Sequence, residues 1–436
     1  MKISTPLEFG EIGAVSHRVV MAPLTRMRSP HGHANNLNAR YYEQRSATGG
    51  LIVAEACNIS ESARGHPNTP SIRDKDDMRA WRRVTSAVHK HPNAKIVLQL
   101  WHVGRTSLPQ YQPSGELPPA PSAIKCEGQA QLPDGSAMVD RVTPRAVSRH
   151  EIAEIIEDYG RAAELAMEAG FDGVELHAAN GYLVDQFLNS STNVRTDEFG
   201  SSVSGRCEFL RRCLLRLNNV APGRVGVRFS PWGRFNSMFD ENPLETMKHA
   251  MRICAEIGVA YVHIINPRIF GVRRYSHSAK KVESATRQVQ PDDPTRTDEN
   301  VRLLYTTVRE TLDQCTSAGY IPVIAAGGFS CREATKSVEA DAVDAVAFGR
   351  FFIANPDLPL RIARTQKLNQ YDRGTFYGGD ETGYTDYPFH IDNEDAFDRL
   401  SGETKQVTNL APPADDSKFN VHDDLSSTSS SASRGN

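Results

Sequence analysis

Gly173-Val174-Glu175-Leu176-His177-Ala178-Ala179-Asn180-Gly181-Tyr182, running on into Leu183-Val184-Asp185-Gln186-Phe187-Leu188-Asn189, is the stretch from which fold and chemistry can be read together. Its first four residues are a short apolar run of the kind that forms a buried strand. Glu175, alternating with Val174 and Leu176, belongs to the interior of whatever that strand helps to enclose. Just upstream, residues 148–169 read as a helix. Ser148 with Glu151 three residues on is a capping box. Ile152, Ile155, Ile156, Tyr159, Ala163 and Ala166 then make one apolar stripe, and Gly170 closes it. Downstream, His177 and Asn180 stand three apart, so at a helical start they would share a face. One carbonyl oxygen could then accept hydrogen bonds from both while Tyr182 reached the same pocket with a proton. Donors at one end and an acid at the other suit an activated alkene next to a carbonyl.

Outward from this unit the pattern repeats. Short apolar runs at 18–22, 51–55, 96–100, 173–176, 225–229, 260–265, 321–325 and 342–348 alternate with longer amphipathic stretches. Eight strands alternating with helices predict a (β/α)₈ TIM barrel, an α/β fold, in one domain over about 1–395. Two excursions interrupt it. Residues about 102–147 carry many prolines and a Pro133-Asp134-Gly135 turn, which predicts a small β cap over the barrel mouth. Residues about 266–300 form a polar variable loop with Arg268, Arg273, Arg274, Lys280, Lys281 and Arg287. From about 396 to 436 apolar periodicity is lost and serine predominates, which predicts a disordered tail.

Bulk properties exclude several classes. Of 436 residues 39% are hydrophobic, enough for a large core, and the net charge of −3 offers nothing to nucleic acid or an anionic membrane. The seven cysteines are scattered without a C-x-x-C pair, which suits a reducing compartment and argues against disulfides and zinc. His31/His33 and His89/His91 lack a metal-site carboxylate pattern, so no metal is expected. The N-terminus has no signal-peptide core and no apolar run is long enough to span a bilayer, so a soluble cytoplasmic protein is expected.

In a barrel of this kind the active site lies at the C-terminal ends of the strands. There the expected positions place Thr25, Gln99, His177, Asn180 and Arg228, then Gly327-Gly328 and Gly349-Arg350. Glycine turns after strands seven and eight are where barrels bind phosphate with backbone N–H groups, Arg350 adding a fork donor; two ordinary tight turns with a surface arginine are the plainer reading. Arg228 sits inside an apolar strand and needs a partner, either a core carboxylate or a bound group. Gln99 can offer a donor and an acceptor to a uracil-like edge.

Further blocks occur in a characteristic order. They are Met21-Ala22-Pro23-Leu24-Thr25-Arg26, Gln99-Leu100-Trp101-His102, the stretch from His177 to Gly200 with Asn193-Val194-Arg195-Thr196-Asp197, Gly226-Val227-Arg228-Phe229-Ser230-Pro231, Ala326-Gly327-Gly328-Phe329, Phe348-Gly349-Arg350 and Tyr371-Asp372-Arg373-Gly374-Thr375-Phe376-Tyr377. Together they resemble the Old Yellow Enzyme family of FMN-dependent ene-reductases, over roughly residues 1–390. The resemblance implies FMN held by Pro23, Leu24, Thr25, Gln99, Arg228, Gly327, Gly328, Gly349 and Arg350, with NADPH or NADH as hydride donor. It implies an enone or enal substrate whose oxygen is bound by His177 and Asn180, with Tyr182 protonating the α-carbon and Trp101, Phe235 and Tyr377 as pocket walls. It further implies a monomer or homodimer with a place in biosynthesis. Threonine at position 25, where one branch of the family has cysteine, points to the other branch. Where the family reads Gly-Gly-Ser and then Asn before Arg206, this chain has Gly200-Ser201-Ser202 and Gly205. Two rival readings keep the scaffold: a redox-neutral isomerase or cyclase, and a flavin-binding protein without catalysis.

Overall fold

The computed structural model describes residues 1–266, 298–315 and 319–393. Eight parallel strands close into a barrel: β1 (Val19–Met21), β2 (Leu51–Asn58), β3 (Lys95–Trp101), β4 (Gly173–Ala178), β5 (Val225–Phe229), β6 (Tyr261–Ile265), β7 (Val323–Ala326) and β8 (Ala345–Phe348). β8 pairs with β1 and closes the ring. Every expected strand is present. β2 runs on to Asn58, past a register shift between Ala54 and Cys57, while β7 and β8 begin later than the apolar runs suggest.

The strands are apolar because they are buried on both sides. One face packs against the outer helices, in a core that includes Ile52, Leu98, Leu176, Val227 and Ile264. The other face fills the barrel with Val20, Val53, Val97, Tyr261 and Ile324, ending at the mouth in the short side chains of Ala22, Ala179, Ala326 and Ala347. The helix before β4, Arg149–Glu168, has the expected capping box at Ser148 and Glu151, and Gly170 takes a φ of +92° just beyond its end. Such a cap is worth about 1 kcal/mol.

The 102–147 excursion carries an antiparallel hairpin, Gln129–Gln131 against Met138–Asp140, and a short pair, Pro119–Ala120 with Arg145–Ala146. This is the β cap. Of the 266–300 loop, residues 267–297 lie outside the described residues, as does the whole tail from 394. Among the described residues no helix is long and apolar enough to cross a membrane.

Candidate active site

The floor of the site is a polar cluster inside the barrel, centred on Glu175. Its carboxylate accepts hydrogen bonds from Gln99 Nε2 at 2.7 Å, Tyr261 Oη at 3.1 Å and His263 Nδ1 at 2.9 Å, with all four residues buried. Register explains the convergence, since Glu175 lies opposite Gln99 on β3 and Gly226 on β5. Glycine is required at 226 because a Cβ there would come within 2.1 Å of the Tyr261 ring, which crosses it to reach Glu175. Burial pushes the Glu175 carboxyl up, but His263, Arg228 and Gln99 more than offset this and hold it below its ordinary value.

Arg228 stands opposite His177 on β4 and His263 on β6. It is 9% exposed, and its Nε has no hydrogen-bond partner among the described residues. His177 is buried with Nδ1 unpartnered, and burial, Arg228 and His263 drive its pKa well below the ordinary value. Its imidazole is therefore neutral at physiological pH. Trp101, at the end of β3, is 1% exposed and its Nε1 is also unpartnered. Three neighbouring strands thus end in buried polar atoms that no group among the described residues satisfies.

The turn after β4 corrects one expectation. His177 lies within the strand, and no helix starts before Leu183, so His177 and Asn180 do not share a helical face. Asn180 and Gly181 instead adopt left-handed conformations, with φ of +60° and +74°. Non-glycine residues visit this region rarely, and Asn is one of the few that tolerates it. The reversal directs Tyr182 back over the strand end. Its ring meets His177 edge-on at 5.1 Å and Trp101 edge-on at 4.9 Å, while Trp101 stacks on His66 at 5.4 Å. Burial raises the Tyr182 hydroxyl pKa above its ordinary value; Tyr377 and Cys126 add to this, and Arg141 and Asn236 oppose it. The cap, the turn after β5 and the 377 loop therefore all converge on this phenol.

Around the rim, Leu24 and Gly349 bring the loops after β1 and β8 together, since a Cβ on Gly349 would sit 3.1 Å from Leu24 Cδ2. Pro23 is buried, and Leu24 and Thr25 are half-buried. Gly327 and Gly328 have φ of +100° and +74°, and Gly349 opens the short helix Arg350–Ala354. The Arg350 guanidinium is exposed and lies over the rings of Phe351 and Tyr371 at 5.7 and 5.6 Å. Phe235 begins a one-turn 3₁₀ helix, Phe235–Ser237, and a Cβ on Gly181 would come within 2.8 Å of its carbonyl oxygen. Tyr377, half exposed, rides on a loop fastened by Arg26 and Arg28 to the carbonyls of Phe376, Gly383 and Asp380 at 2.8–2.9 Å.

Residues 2–369 match the model of the NADH:flavin oxidoreductase / NADH oxidase family. The chain belongs to that family, the Old Yellow Enzymes. It is 40% identical over 400 residues to flavin oxidoreductase hxnT of Emericella nidulans, covering 88% of this chain and 97% of that protein. It is also 40% identical over 402 residues to 12-oxophytodienoate reductase 1 of Oryza sativa subsp. japonica, covering 89% and 94%. Among solved structures, morphinone reductase in complex with tetrahydroNAD superposes with a TM-score of 0.77 at 37% identity, over 91% of this chain and 99% of that one. This Old Yellow Enzyme is accordingly an FMN-dependent oxidoreductase that takes its hydride from NAD(P)H.

The residues present fit FMN. The buried Arg228 Nε without a protein acceptor suits an acceptor-rich ring edge, and the positive-φ glycine pair after β7 exposes backbone N–H groups as phosphate sites do. Gln99 gives one amide N–H inward to Glu175, which leaves its second N–H and its carbonyl oxygen for a ligand. Sequence reasoning also passed over Asp185, Ser230, Asn236 and Arg141. Only Asp185 gave a local signal, as the one carboxylate in the otherwise apolar or neutral segment Leu183–Leu188.

Proposed function

We propose that this flavoenzyme reduces the C=C bond of an α,β-unsaturated carbonyl compound, with His177 and Asn180 binding the carbonyl oxygen and Tyr182 delivering the proton to the α-carbon. The observation that carries the reading is the placement of Tyr182, clasped edge-on between Trp101 and His177 with its hydroxyl kept protonated by burial. A neutral His177 can donate one hydrogen bond to a carbonyl oxygen without placing a second cation beside Arg228. Asn180 adds amide donors from the left-handed turn. Electron density drawn to that oxygen makes the β-carbon electrophilic, and the α-carbon becomes basic enough to take a proton from a phenol as weak as Tyr182.

Bound FMN supplies the two-electron hydride chemistry that the polypeptide lacks. Arg228 would face its acceptor edge, Gly327, Gly328, Gly349 and Arg350 its phosphate, and Pro23, Leu24, Thr25 and Gln99 its remaining contacts. Trp101, Phe235 and Tyr377 would bound the substrate pocket. The rice relative is named for 12-oxophytodienoate and the structural neighbour for morphinone, both names denoting ketones, which supports this substrate class. A cytoplasmic setting accords with seven cysteines that are all free, and a monomer or homodimer over a single 1–395 domain completes the reading.

The test is Tyr182→Phe followed by stopped flow, one half-reaction at a time. Flavin reduction by NAD(P)H should stay near the parental rate. Reoxidation by enones should slow by ~10²–10⁴-fold, while quinones, which need no carbon protonation, still turn over. Undiminished enone reduction would remove Tyr182 from the mechanism. Product mass, two hydrogens heavier than substrate, separates reduction from isomerisation.

A further inference from the structure

All four backbone polar groups of the left-handed pair are held by side chains. Asn180 N–H donates to Ser230 Oγ at 2.7 Å, and its carbonyl accepts from Asn236 Nδ2 at 2.9 Å. Gly181 N–H donates to Asp185 Oδ2 at 2.8 Å, and its carbonyl accepts from Gln186 Nε2 at 2.7 Å. Ser230 Oγ in turn lies 3.3 Å from the same Asp185 oxygen. Asn180 is in a conformation that non-glycine residues rarely adopt, and neither it nor Gly181 has a backbone partner among the described residues, so the turn depends on this cradle. They are also the two residues immediately before Tyr182.

We propose that Asp185 is the positioning residue for proton delivery, fixing the Asn180–Gly181 turn through the Gly181 amide and the Ser230 hydroxyl so that Tyr182 points at the substrate. The inference rests on the reading of Tyr182 as proton donor. Asp185 itself touches neither substrate nor flavin in this scheme.

Its surroundings make the device pH-sensitive. Burial, with help from Asp240, pushes the Asp185 carboxyl up to about 7 against the opposing pull of the Gly181 amide, Ser230 and Arg105. Asp240 comes from the loop before Pro243–Ile257 and is itself bound by Thr246 Oγ1 at 2.6 Å and Arg206 at 3.7 Å. Asp185, Asp240, Ser230, Asn189 and Thr246 border a cavity of about 20 Å³, room for a single water. Charge-assisted hydrogen bonds are roughly twice as strong as neutral ones, so the turn is gripped most firmly when Asp185 is ionised. A misplacement of about 1 Å can cost on the order of 100-fold in rate.

The experiment compares holoenzyme carrying Asp185→Asn with the parent from pH 5.5 to 8.5. The ratio of enone to quinone reoxidation rates should fall about tenfold or more in the variant. It should sit at the parent's acid-limit value at every pH, whereas the parent ratio should rise through about 7. Hydrogen exchange at the amides of residues 180–182 should quicken in the variant, with the rest of the fold unchanged. Stability gives an opposite sign. The folded pKa of Asp185 is above its unfolded value, so its contribution to stability is fully present below the unfolded pKa and is lost as pH rises through about 7. Asp185→Asn, which has no charge to bury, should therefore unfold no earlier than the parent at pH 8. A residue with only a structural role would lose stability and activity together. Ser230→Ala, which cuts the second link, should lower the same ratio. An unchanged ratio, an equal slowing with both oxidants, or a parallel fall in stability overturns the proposal. If Tyr182→Phe keeps full enone turnover, the proton-donor reading fails and this inference fails with it. An unaffected Asp185→Asn beside a crippled Tyr182→Phe sinks this inference alone.

Discussion

Replacing Glu175 by Gln tests whether the barrel interior is held by its charge. The carboxylate accepts three hydrogen bonds from two other strands and is a counter-charge for Arg228 in a buried setting. Glutamine keeps the shape but offers one carbonyl oxygen, and its NH₂ must turn toward at least one group that is itself a donor. Each lost hydrogen bond to a charged acceptor is worth about 1.5–3 kcal/mol, and stripping a buried cation of its partner costs about 3–5 kcal/mol. These overlap, because Arg228 and the hydrogen-bond donors act on the same carboxylate, so the expected loss is about 3–5 kcal/mol. Against a typical total of about 5–15 kcal/mol, that is readily measured by urea unfolding followed through tryptophan fluorescence. The pH dependence supplies a second check. Glu175 is held below its ordinary pKa when folded, so its contribution is present above the unfolded value and is lost as pH falls through the folded one. The gap between parent and variant should therefore shrink in acid. A loss under about 1 kcal/mol, or a gap that does not change with pH, would refute the view that this charge organises the core.

Arg350→Ala should weaken FMN binding by about 2–3 kcal/mol, or roughly 30- to 150-fold, if its exposed guanidinium closes on the phosphate; dialysis and a visible spectrum check this. Asn180→Ala should weaken phenol charge-transfer binding while leaving the NAD(P)H half-reaction largely intact, and equal damage to both would show that the residue shapes the flavin site instead. Gly226→Ala forces a methyl group into the Tyr261 ring at 2.1 Å, so it should destabilise by about 1–3 kcal/mol and break the Tyr261 hydrogen bond to Glu175, as thermal unfolding would report.

What the sequence by itself determined is local. Eight apolar runs, the Ser148 capping box and the positive-φ glycine pair after β7 are legible because strand burial, helix capping and positive φ depend on a residue and its near neighbours. The blocks around Thr25, His177 and Arg350 were legible for the same reason, being short and contiguous. Only the tertiary structure decided where side chains point once distant elements meet. Gln99 turns inward because Glu175, 76 residues away in sequence, lies beside it on the next strand. Asn180 takes a left-handed turn rather than a helical one because Ser230, 50 residues on, and Asn236, 56 residues on, capture its amide and carbonyl. A pattern of residue types records which groups can make hydrogen bonds, but the choice among partners is settled by which of them barrel closure brings within 3 Å.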